Sequence, residues 1–467
     1  MNPTQFPTLR LLPALLLALL PTASELVAED WTRFRGPNGS GIAGGTGFPT
    51  EFGPDKNVRW KSPMRPGKSS PVLTSRRVFL TSYSDDRLYT QCFDRETGNR
   101  LWERSIERRR KALLHQLNEP ASVSPVTDGR NVYVFFEDWG LLSYDEEGEL
   151  RWKTPLGPFL NEQGLGASPI LVDGLLVLQV DHAAGSYIAA FDPANGETKW
   201  KTDRAETDSW TTPLVHRNGD DARIVTVSAS LIGAYEPADG RRTLTQGGAG
   251  GLMVASPVLS GDTVYAFGYN FETAPPFDDT LSQYDKNGSG ALEPVEYQGI
   301  SFYTAVAKHR GDRDGILEQI DWDDIMGKRD GPSRMVAMRL EGDGSARELW
   351  SRERGFLNVI PSPLVYDGIL YFVKNGGIMT AIDAKTGEEL KKGRLKDAID
   401  GYSASPVAAD GKVYFPSETG KISVVKHGAE WEVIAVNDLD DGVYATPALS
   451  DGMIFLRTDS WLYCFGD

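Results

Sequence analysis

Apolar and polar residues alternate along most of this chain in short runs that are separated by turn-forming residues. Three apolar runs follow one another in the clearest stretch: Ile170–Val172, Leu175–Val180 and Tyr187–Phe191. Each run has the length of a β-strand, and Asp173-Gly174 between the first two is a strong signal for a two-residue hairpin turn. A fourth, more polar run contains Trp200. The pattern therefore predicts a unit of four short antiparallel strands.

This unit repeats, and each copy begins with Ser-Pro or Thr-Pro. The first residue of the dipeptide is found at Ser70, Ser124, Ser168, Thr212, Ser256, Ser362, Ser405 and Thr446. Successive spacings are 54, 44, 44, 44, 106, 43 and 41 residues, and the two longer ones each mark an insertion. A period of about 43 residues, with four strands in each copy, predicts the blades of a β-propeller.

Turn and tryptophan positions recur with the same period. Asp-Gly pairs predict tight turns between the first two strands at Asp128-Gly129, Asp173-Gly174, Asp367-Gly368, Asp410-Gly411 and Asp451-Gly452. The fourth strands carry Trp102, Trp152, Trp200 and Trp350. A four-stranded sheet cannot bury both of its faces alone, so we expect the blades to stack around an axis with these tryptophans as wedges between neighbours.

Eight copies of the unit predict eight blades. The last copy ends at Asp467, after its third strand, and residues 58–61 around Trp60 resemble the fourth strand that it lacks. An N-terminal strand that completes the last blade would close the ring and leave no unpaired edge there. Seven blades and a separate hairpin are the structural alternative.

Charge and the N-terminal pattern bear on the compartment and the partners. The 467 residues carry a formal net charge of -16, which argues against nucleic acid as a partner. Residues 1–28, with one arginine before an apolar run at 11–20, predict a signal peptide. A transmembrane anchor is the rival interpretation, but the run is only half of the ~20 residues that a span needs. No cysteine precedes Cys92, so we expect an exported protein, periplasmic or extracellular, with no lipid anchor and no membrane span.

The two cysteines occupy one position of the repeat. Cys92-Phe93-Asp94 and Cys464-Phe465-Gly466-Asp467 align with copies that have Ala190 or Ala381 in the same place. This equivalence favours a buried small apolar side chain over a disulfide or a reactive thiol.

The repeat resembles that of the pyrroloquinoline-quinone-type (PQQ-like) propeller family, Ala-x-Asp-x-x-x-Gly-x-x-x-Trp. Residues 190–200 match it throughout, residues 92–102 differ only in having cysteine for alanine, and the copy that begins at Ala381 lacks the tryptophan. Residues 30–37, Asp-Trp-Thr-Arg-Phe-Arg-Gly-Pro, also resemble secreted members. The resemblance covers nearly the whole mature chain except the long insertion, and it implies an all-β, eight-bladed propeller of four-stranded antiparallel blades.

Quinone-dependent dehydrogenases with this propeller share an adjacent Cys-Cys pair, a Ca²⁺ ion held against the quinone in the channel, and a catalytic aspartate. This chain has no adjacent cysteines and is shorter than such enzymes usually are. The fold alone does not imply the cofactor. We therefore assign no catalytic residue and expect no bound PQQ.

The long spacing between Ser256 and Ser362 reflects an insertion in blade 5. We place it at 272–331, between propeller parts at 29–271 and 332–467. Residues 271–331 hold thirteen carboxylates and six Lys and Arg residues, which is -7 of the net charge of -16. Apolar residues at Phe277, Leu281 and Tyr284 fit one face of a helix, so the insertion is predicted to be a small α-helical pair.

The insertion contains a match to the calcium-binding loop of the EF-hand, Asp285-Lys-Asn-Gly-Ser-Gly-Ala-Leu-Glu-Pro-Val-Glu296. Side-chain or carbonyl oxygens at alternating positions, a glycine at position 6 and a bidentate glutamate at position 12 are the ligand set that Ca²⁺ requires. The predicted ligands are Asp285, Asn287, Ser289, Ala291, Glu293 and Glu296. Leu292 is the apolar residue that would pair with a partner loop, and an acidic surface loop without metal is the alternative.

A weaker second loop follows. Its predicted ligands are Asp312, Asp314, Ile316, Glu318 and Asp321. Position 1 would be Arg310, which cannot bind a cation, and an aspartate replaces the glutamate of position 12. EF-hands usually occur in pairs, so this loop is interpreted as the structural partner of the first, and its own Ca²⁺ binding is left open.

Two functions from different classes are compatible with this sequence. The favoured one is a non-catalytic binding or scaffold protein that offers a propeller face to a protein, peptide or glycan, with Ca²⁺ ordering the insertion. The alternative is a PQQ-dependent, dehydrogenase-like oxidoreductase. The sequence contains no phosphate-binding glycine loop and no Cys/His zinc cluster.

Overall fold

The computed structural model describes residues 30–161, 163–182, 185–206, 209–228, 231–268, 276–309, 311–326, 333–353 and 359–466. The predicted signal peptide lies outside these residues. The bounds predicted for the insertion fall on or next to undescribed residues, 269–275 and 327–332, so they stay a prediction.

The strands form eight four-stranded antiparallel sheets, which confirms the eight-bladed propeller. Blades 1 and 2 contain β2 (Val72–Leu73), β3 (Arg77–Ser84), β4 (Arg87–Asp94), β5 (Arg100–Glu107), β6 (Val126–Thr127), β7 (Val132–Phe136), β8 (Gly140–Tyr144) and β9 (Leu150–Pro155). Blades 3 and 4 contain β10 (Ile170–Val172), β11 (Leu175–Val180), β12 (Tyr187–Phe191), β13 (Thr198–Asp203), β14 (Leu214–Asn218), β15 (Asp221–Val227), β16 (Leu231–Tyr235) and β17 (Arg242–Gly247).

Blades 5 to 8 have the same strand order, in which the first strand of each blade lies nearest the channel and the fourth lies farthest from it. Blades 5 and 6 contain β18 (Val258–Ser260), β19 (Thr263–Gly268), β20 (Arg334–Leu340), β21 (Ala346–Glu353), β22 (Leu364–Tyr366), β23 (Ile369–Lys374), β24 (Ile378–Asp383) and β25 (Glu389–Arg394). Blades 7 and 8 contain β26 (Val407–Ala409), β27 (Lys412–Pro416), β28 (Lys421–Lys426), β29 (Glu432–Asp438), β30 (Ala448–Ser450), β31 (Met453–Arg457) and β32 (Trp461–Phe465).

The fourth strand of blade 8 is β1 (Val58–Pro63), which pairs antiparallel with β32. Trp60 lies opposite Cys464 in this pair, as Trp102 lies opposite Cys92 in blade 1. The first and last parts of the chain thus share one sheet, and the predicted closure is confirmed. The alternative of seven blades and a separate hairpin is wrong.

Burial follows the position of a strand within its blade. All five residues of β7 and of β8 are buried, because neighbouring blades cover both faces of the middle strands. The outer strands alternate; β9 buries Trp152 and leaves its neighbours partly or fully exposed. The apolar core is therefore distributed between the blades, as the stacking argument requires.

At five blade interfaces, a tryptophan of one blade packs against a glycine turn of the next blade. Trp152 donates its indole N–H to the carbonyl of Pro193 at 2.9 Å. Gly196, in the same turn, has φ +75°, and a Cβ added there would lie 2.4 Å from the Trp152 ring. The same pairing joins Trp60 to Gly98, Trp102 to Gly148, Trp200 to Gly240 and Trp350 to Gly387. This packing explains why the repeat requires both residue types.

The predicted Asp-Gly turns are confirmed in four of five places. Asp173, Asp367, Asp410 and Asp451 have φ between 46° and 52°, and each following glycine is also positive. The prediction is wrong at Asp128-Gly129, where Asp128 is not in the left-handed region. Its side chain instead accepts N–H groups of Arg130 and Asn131, which makes a longer turn.

The helical insertion leaves the propeller between β19 and β20 of blade 5. Its described residues form three helices, α1 (Phe277–Tyr284), α2 (Ser301–His309) and α3 (Gln319–Met326), where a pair was predicted. These helices enclose a small core of their own, which includes Phe277, Leu292, Leu317 and Trp322. Leu281 and Tyr284 pack against it, so the predicted apolar face of α1 is present.

Candidate functional site

The Ser-Pro and Thr-Pro dipeptides line the central channel with a closed ring of hydrogen bonds. In each blade the backbone N–H of the Ser or Thr donates to the hydroxyl of the equivalent residue in the next blade, at 2.9–3.2 Å. The last donor, Thr446, returns to Ser70. Proline follows each hydroxyl residue and brings no N–H of its own. The dipeptide therefore links all eight blades around the axis.

A second ring lies two residues before each dipeptide and lines the same cavity. Its members are Lys68, Ser122, Gly166, Trp210, Val254, Ile360, Ser403 and Tyr444. Blades 4 to 6 contribute only apolar or aromatic side chains to this ring. Blades 7, 8, 1 and 2 contribute hydroxyls and one ammonium group. One wall of the cavity is therefore apolar and the opposite wall is polar.

The cavity has a volume of about 560 Å³. We call its open end, at the second ring, the channel mouth. Strands 1 and 2 of a blade meet at the opposite end, so the connections into strand 1 and the turns between strands 2 and 3 both lie at the mouth. The insertion joins β19 to β20, which are the second and third strands of blade 5, so it emerges on the mouth face.

Residues 31–43 form a plug at the other end of the channel. Leu73 of blade 1 donates its N–H to the carbonyl of Trp31 at 2.8 Å, and Thr127 of blade 2 donates to Thr32. Farther along the plug, Gly41 accepts the N–H of Ala408 in blade 7. Between them, Asn38 exchanges two hydrogen bonds with the backbone of Val215 in blade 4, so the segment contacts both sides of the channel.

The side chains of the plug fill the end of the channel. Phe34 contributes to the cavity lining as its floor. Arg33 and Arg35 are buried on either side and donate to the carbonyls of Pro213 and Pro363. Burial lowers the pKa of Arg33 to about 10 and that of Arg35 to about 9. Because the plug closes this end of the channel, the mouth is the accessible end of the cavity.

The long connection from blade 1 to blade 2 forms part of the cavity wall through His115, Leu117 and Asn118. Asp138, at a turn of blade 2, fixes this connection by accepting hydrogen bonds from Arg108 Nε at 2.6 Å and from the N–H of Ala112 at 2.8 Å. The wall is therefore tied to the propeller by an ion pair with a buried carboxylate.

Glu137 lies next to Asp138 and is also buried. One carboxylate oxygen accepts the N–H of Leu165 at 2.7 Å, and the other has no partner. Burial raises the pKa of Glu137 to about 7, helped by the charge of Asp138 and opposed by the Leu165 N–H. This carboxyl group therefore titrates near neutral pH.

Carboxylates surround the polar side of the mouth. Lys68 is the single ammonium group of the described lining; its Nζ lies 4.6 Å from the centre of the Tyr444 ring and 3.9 Å from Glu119. We call the neighbouring acidic residues the acidic rim: Glu119, Asp400, Glu418, Asp441 and Asp459. Burial and the charge of Asp441 raise the pKa of Asp459, and the charges of Lys68 and Arg457 oppose this shift. Burial, together with Glu418, Asp459 and Glu119, raises the pKa of Tyr444.

In the first predicted metal loop, the chain is wound around the side chains of the predicted ligands. Asp285 accepts the N–H of Gly288 at 2.7 Å and of Gly290 at 3.0 Å. Asn287 accepts the N–H of Ser289 at 2.8 Å. Glu296 accepts the N–H of Lys286 at 2.8 Å and of Glu293 at 3.1 Å, and so joins the end of the loop to its beginning.

This arrangement fits a hard cation. A carboxylate oxygen that accepts one N–H keeps a second lone pair for a metal. Ser289 Oγ and the carbonyl oxygen of Ala291 lie 3.0 Å apart, so two further oxygens are at hand. Within the described residues no three His, Cys, Asp or Glu side chains are grouped closely enough to hold an ion by themselves. A bound cation would therefore depend on the amide, hydroxyl and carbonyl oxygens as well.

The second loop has a similar closing contact. Asp321 accepts the N–H of Glu318 at 2.9 Å through one oxygen, and its other oxygen is buried without a partner. Asp312 and Asp314 accept N–H groups within the loop, the latter from Ile316 at 2.7 Å. Desolvation and the neighbouring carboxylates raise the pKa of Asp321 to about 6. Arg310, the predicted position 1, lies outside the described residues.

The two loops pair as a short antiparallel bridge. Leu292 donates its N–H to the carbonyl of Leu317, and Leu317 donates to that of Leu292, both at 2.9 Å. Both side chains are fully buried. The pairing predicted for Leu292 is therefore found, and the second loop is its partner.

The cavity does not fit a tricarboxylate quinone such as PQQ. A ligand of this charge calls for several cationic side chains, whereas the described lining offers Lys68 alone, beside the carboxylates of the rim. Cys92 and Cys464 are free and buried in the blades, in agreement with the prediction. Burial raises the pKa of both thiols to about 12, so they have the character of core residues.

Sequence reasoning located the loops of the insertion but missed the mouth. The second ring could have been found by reading the residue two places before each dipeptide, because the repeat puts all eight at equivalent positions. The plug has no periodic signal. Asp181, which directly follows β11, is buried in an ion pair with Arg204 at 2.8 Å and is structural.

Comparison with known proteins agrees with this architecture. A family model described as outer membrane protein assembly factor BamB matches residues 53–156, 89–278 and 329–466. Outer membrane protein assembly factor BamB of Yersinia pestis is 20% identical over 369 residues, which cover 75% of this chain and 82% of that protein. None of the described helices combines the length and apolarity needed to cross a membrane.

Two solved structures share the fold. BamB from Moraxella catarrhalis matches with a TM-score of 0.55 and 11% identity, over 88% of this chain and 99% of that one. The computationally designed Ika8 protein matches with a TM-score of 0.52 and 11% identity, over 87% and 98%. Since the family match extends over most of the propeller, this chain belongs to the PQQ-like propeller family of the outer membrane protein assembly factor BamB.

Proposed function

We propose that this chain is an exported, non-catalytic scaffold that binds a polypeptide at the channel mouth. The observation that carries the proposal is the cavity of about 560 Å³, open at one end and lined by an apolar wall that faces a polar one. Cavities of this size with a few convergent polar groups are typical binding sites. The family supports a protein partner, because its named members are assembly factors.

The lining favours binding over catalysis. Among the described side chains of the lining, no hydroxyl is hydrogen-bonded to the ring of His115, whose Nδ1 accepts the backbone N–H of Leu117. Ring hydroxyls such as Ser70 are already acceptors of interblade hydrogen bonds.

A quinone-dependent oxidation is the competing hypothesis. Adding PQQ and Ca²⁺ should give no dye-linked oxidation of alcohols or sugars, and a clear signal would refute the scaffold proposal.

Photo-crosslinking in the native envelope tests where a partner binds. A photoreactive residue at Leu117 would face the cavity, and one at the exposed Glu388 would lie in a turn of the opposite face. We expect polypeptide adducts of defined mass from position 117 and none of the same mass from position 388. Equal adducts from both positions, or none from position 117, would contradict the proposal.

We also propose that Ca²⁺ binds the first loop of the insertion, with Asp285, Asn287, Ser289, Ala291, Glu293 and Glu296 as ligands. When bound, the cation would hold these oxygens against one another and so order the insertion at the mouth face. Asp312, Asp314, Ile316, Glu318 and Asp321 would form a weaker second site. The N–H contacts that wind the first loop around Asp285 and Glu296 support this proposal.

Calorimetry with Ca²⁺ tests the metal proposal. Glu296→Gln should abolish the tighter binding, because it removes the bidentate carboxylate that contributes two ligand oxygens. Asp278→Asn, an exposed position in the first turn of α1, is the matched control and should bind as the wild type does. Absence of heat in the wild type would refute Ca²⁺ binding, and an unchanged isotherm for Glu296→Gln would refute the assigned loop.

A further inference from the structure

Three carboxylates of the acidic rim, in blades 7 and 8, form no close ion pair, although Lys68 and Arg457 act on Asp459 from farther away. Among the residues that the structure describes, Glu418, Asp441 and Asp459 have no Lys or Arg within 4.0 Å. Lys68 is the ammonium group of the lining, and it is engaged with Tyr444 and Glu119. Charges of one sign along a cleft with low-dielectric walls focus the field and attract ligands of the opposite sign.

Two of these carboxylates belong to residues that are fixed by an equivalent backbone hydrogen bond, since Glu418 and Asp459 donate their N–H groups to the carbonyls of Gly401 and Gly442, both at 2.9 Å. A Cβ at Gly401 would lie 2.4 Å from Glu418 Oε2, and a Cβ at Gly442 would lie 2.4 Å from Asp459 Oδ2. The two glycines are equivalent in blades 7 and 8, four residues before their dipeptides. Ser403 of the second ring also donates its hydroxyl to Glu418 at 2.5 Å. The rim therefore presents ordered carboxylates next to the cavity.

The opposite wall is apolar and equally fixed. The second ring contributes Trp210, Val254 and Ile360 there, all partly exposed. Trp210 donates its indole N–H to the carbonyl of Gly164 at 2.5 Å, which sets the orientation of the ring. A Cβ at Gly166 would approach the same indole to 3.0 Å. The wall offers a rigid aromatic anchor surface, of the kind that dominates binding energy at interfaces.

We propose that the channel mouth binds a cationic polypeptide segment, with an apolar side chain against Trp210 and a Lys or Arg side chain between Glu418 and Asp459. This inference rests on the proposed function and narrows it to one class of partner. The charge of the rim disfavours acidic peptides and anionic glycans, since like charges in a partly desolvated site repel. The apolar wall distinguishes such a segment from a simple inorganic cation.

Fluorescence anisotropy with two labelled peptides tests the inference. One peptide alternates Phe with Lys, and the other has Glu in place of each Lys. The mouth variant is Glu418→Gln with Asp459→Asn, and the matched control is Glu147→Gln with Glu388→Gln, which removes the same charge from turns of the opposite face. Both double variants keep the size of the side chains, and thermal unfolding checks that both are folded.

The Lys peptide should bind the wild type, and its affinity for the mouth variant should be roughly tenfold lower, because two exposed ion pairs are lost. The control variant should bind within about twofold of the wild type, since its charges lie in turns of the opposite face and are screened by salt. Trp210→Ala should also weaken binding, whereas the Glu peptide should bind at least roughly tenfold less tightly than the Lys peptide.

Equal loss in both double variants, or equal affinity for both peptides, would overturn the cationic assignment. If neither peptide binds but position 117 still gives polypeptide adducts in the envelope, the charge class is wrong and the scaffold function stands. If neither peptide binds and no adduct forms, both proposals fail.

Discussion

Replacing Gly196 with alanine tests two requirements on the turn glycines of the repeat. The glycine must adopt a positive φ, and it must leave room for the tryptophan of the neighbouring blade. Gly196 has φ +75°, and an added Cβ would lie 2.4 Å from Trp152 Cε3 and 2.5 Å from Thr154 Oγ1. Gly174 has the same φ of +75°, but nothing lies within 4 Å of an added Cβ. The second position therefore serves as a control with the same backbone conformation and no clash.

Gly196→Ala and Gly174→Ala should differ in the free energy of unfolding only by the cost of the clash with Trp152. A left-handed conformation costs an L-residue about 1–2 kcal/mol, which both variants should show. Overpacking against Trp152 should add about 1–3 kcal/mol at Gly196, because the indole is fixed by its 2.9 Å hydrogen bond to Pro193. Gly196→Ala should therefore lose about 2–5 kcal/mol in the free energy of unfolding.

Urea unfolding followed by tryptophan fluorescence measures this difference. The two variants should unfold with similar slopes, and the midpoint of Gly196→Ala should be clearly the lower one. Equal midpoints would refute the reasoning, since they would mean that the Trp–Gly contact does not constrain the blade interface.

Three further results follow from buried polar groups. Ser124→Ala leaves the N–H of Ser70 without its acceptor and should lower the free energy of unfolding in urea by about 1–3 kcal/mol. Burial raises the pKa of Glu137 from 4.5 to about 7, so the folded protein holds this proton more tightly than the unfolded chain does. Its contribution is complete below the unfolded pKa and is lost as the pH rises to about 7, by about 3 kcal/mol. Glu137→Gln should remove this part of the pH dependence of stability, and an unchanged dependence would contradict the assignment. Because burial raises the pKa of Cys92 and Cys464 to about 12, a thiol reagent should modify neither in the folded protein and both in urea.

The blades could be predicted because each feature of the repeat has a local cause that recurs. Asp173-Gly174 fixes a turn by its own conformation, and Trp200 marks an outer strand by its spacing. Closure by β1 followed from counting strands in the last copy. The exception was the turn at Asp128, where Asn131 provides a competing local hydrogen bond to the aspartate.

The mouth and the plug were missed for a different reason. The residues of the mouth are far apart in the sequence, and only closure of the ring brings Lys68 and Tyr444 together. The plug meets several blades through single backbone contacts, such as that of Thr32 with Thr127, and such contacts leave no periodic pattern. The insertion was recognised because its loop carries a fixed local spacing of oxygen-bearing side chains, which depends on no distant part of the chain.

A crystal structure of the protein with the Lys-containing peptide would show directly whether the channel mouth binds a cationic segment. We expect peptide density in the cavity, with an apolar side chain on Trp210 and a cationic side chain within hydrogen-bond distance of Glu418 or Asp459. Peptide bound to an outer strand or on the opposite face, with the mouth empty, would contradict it.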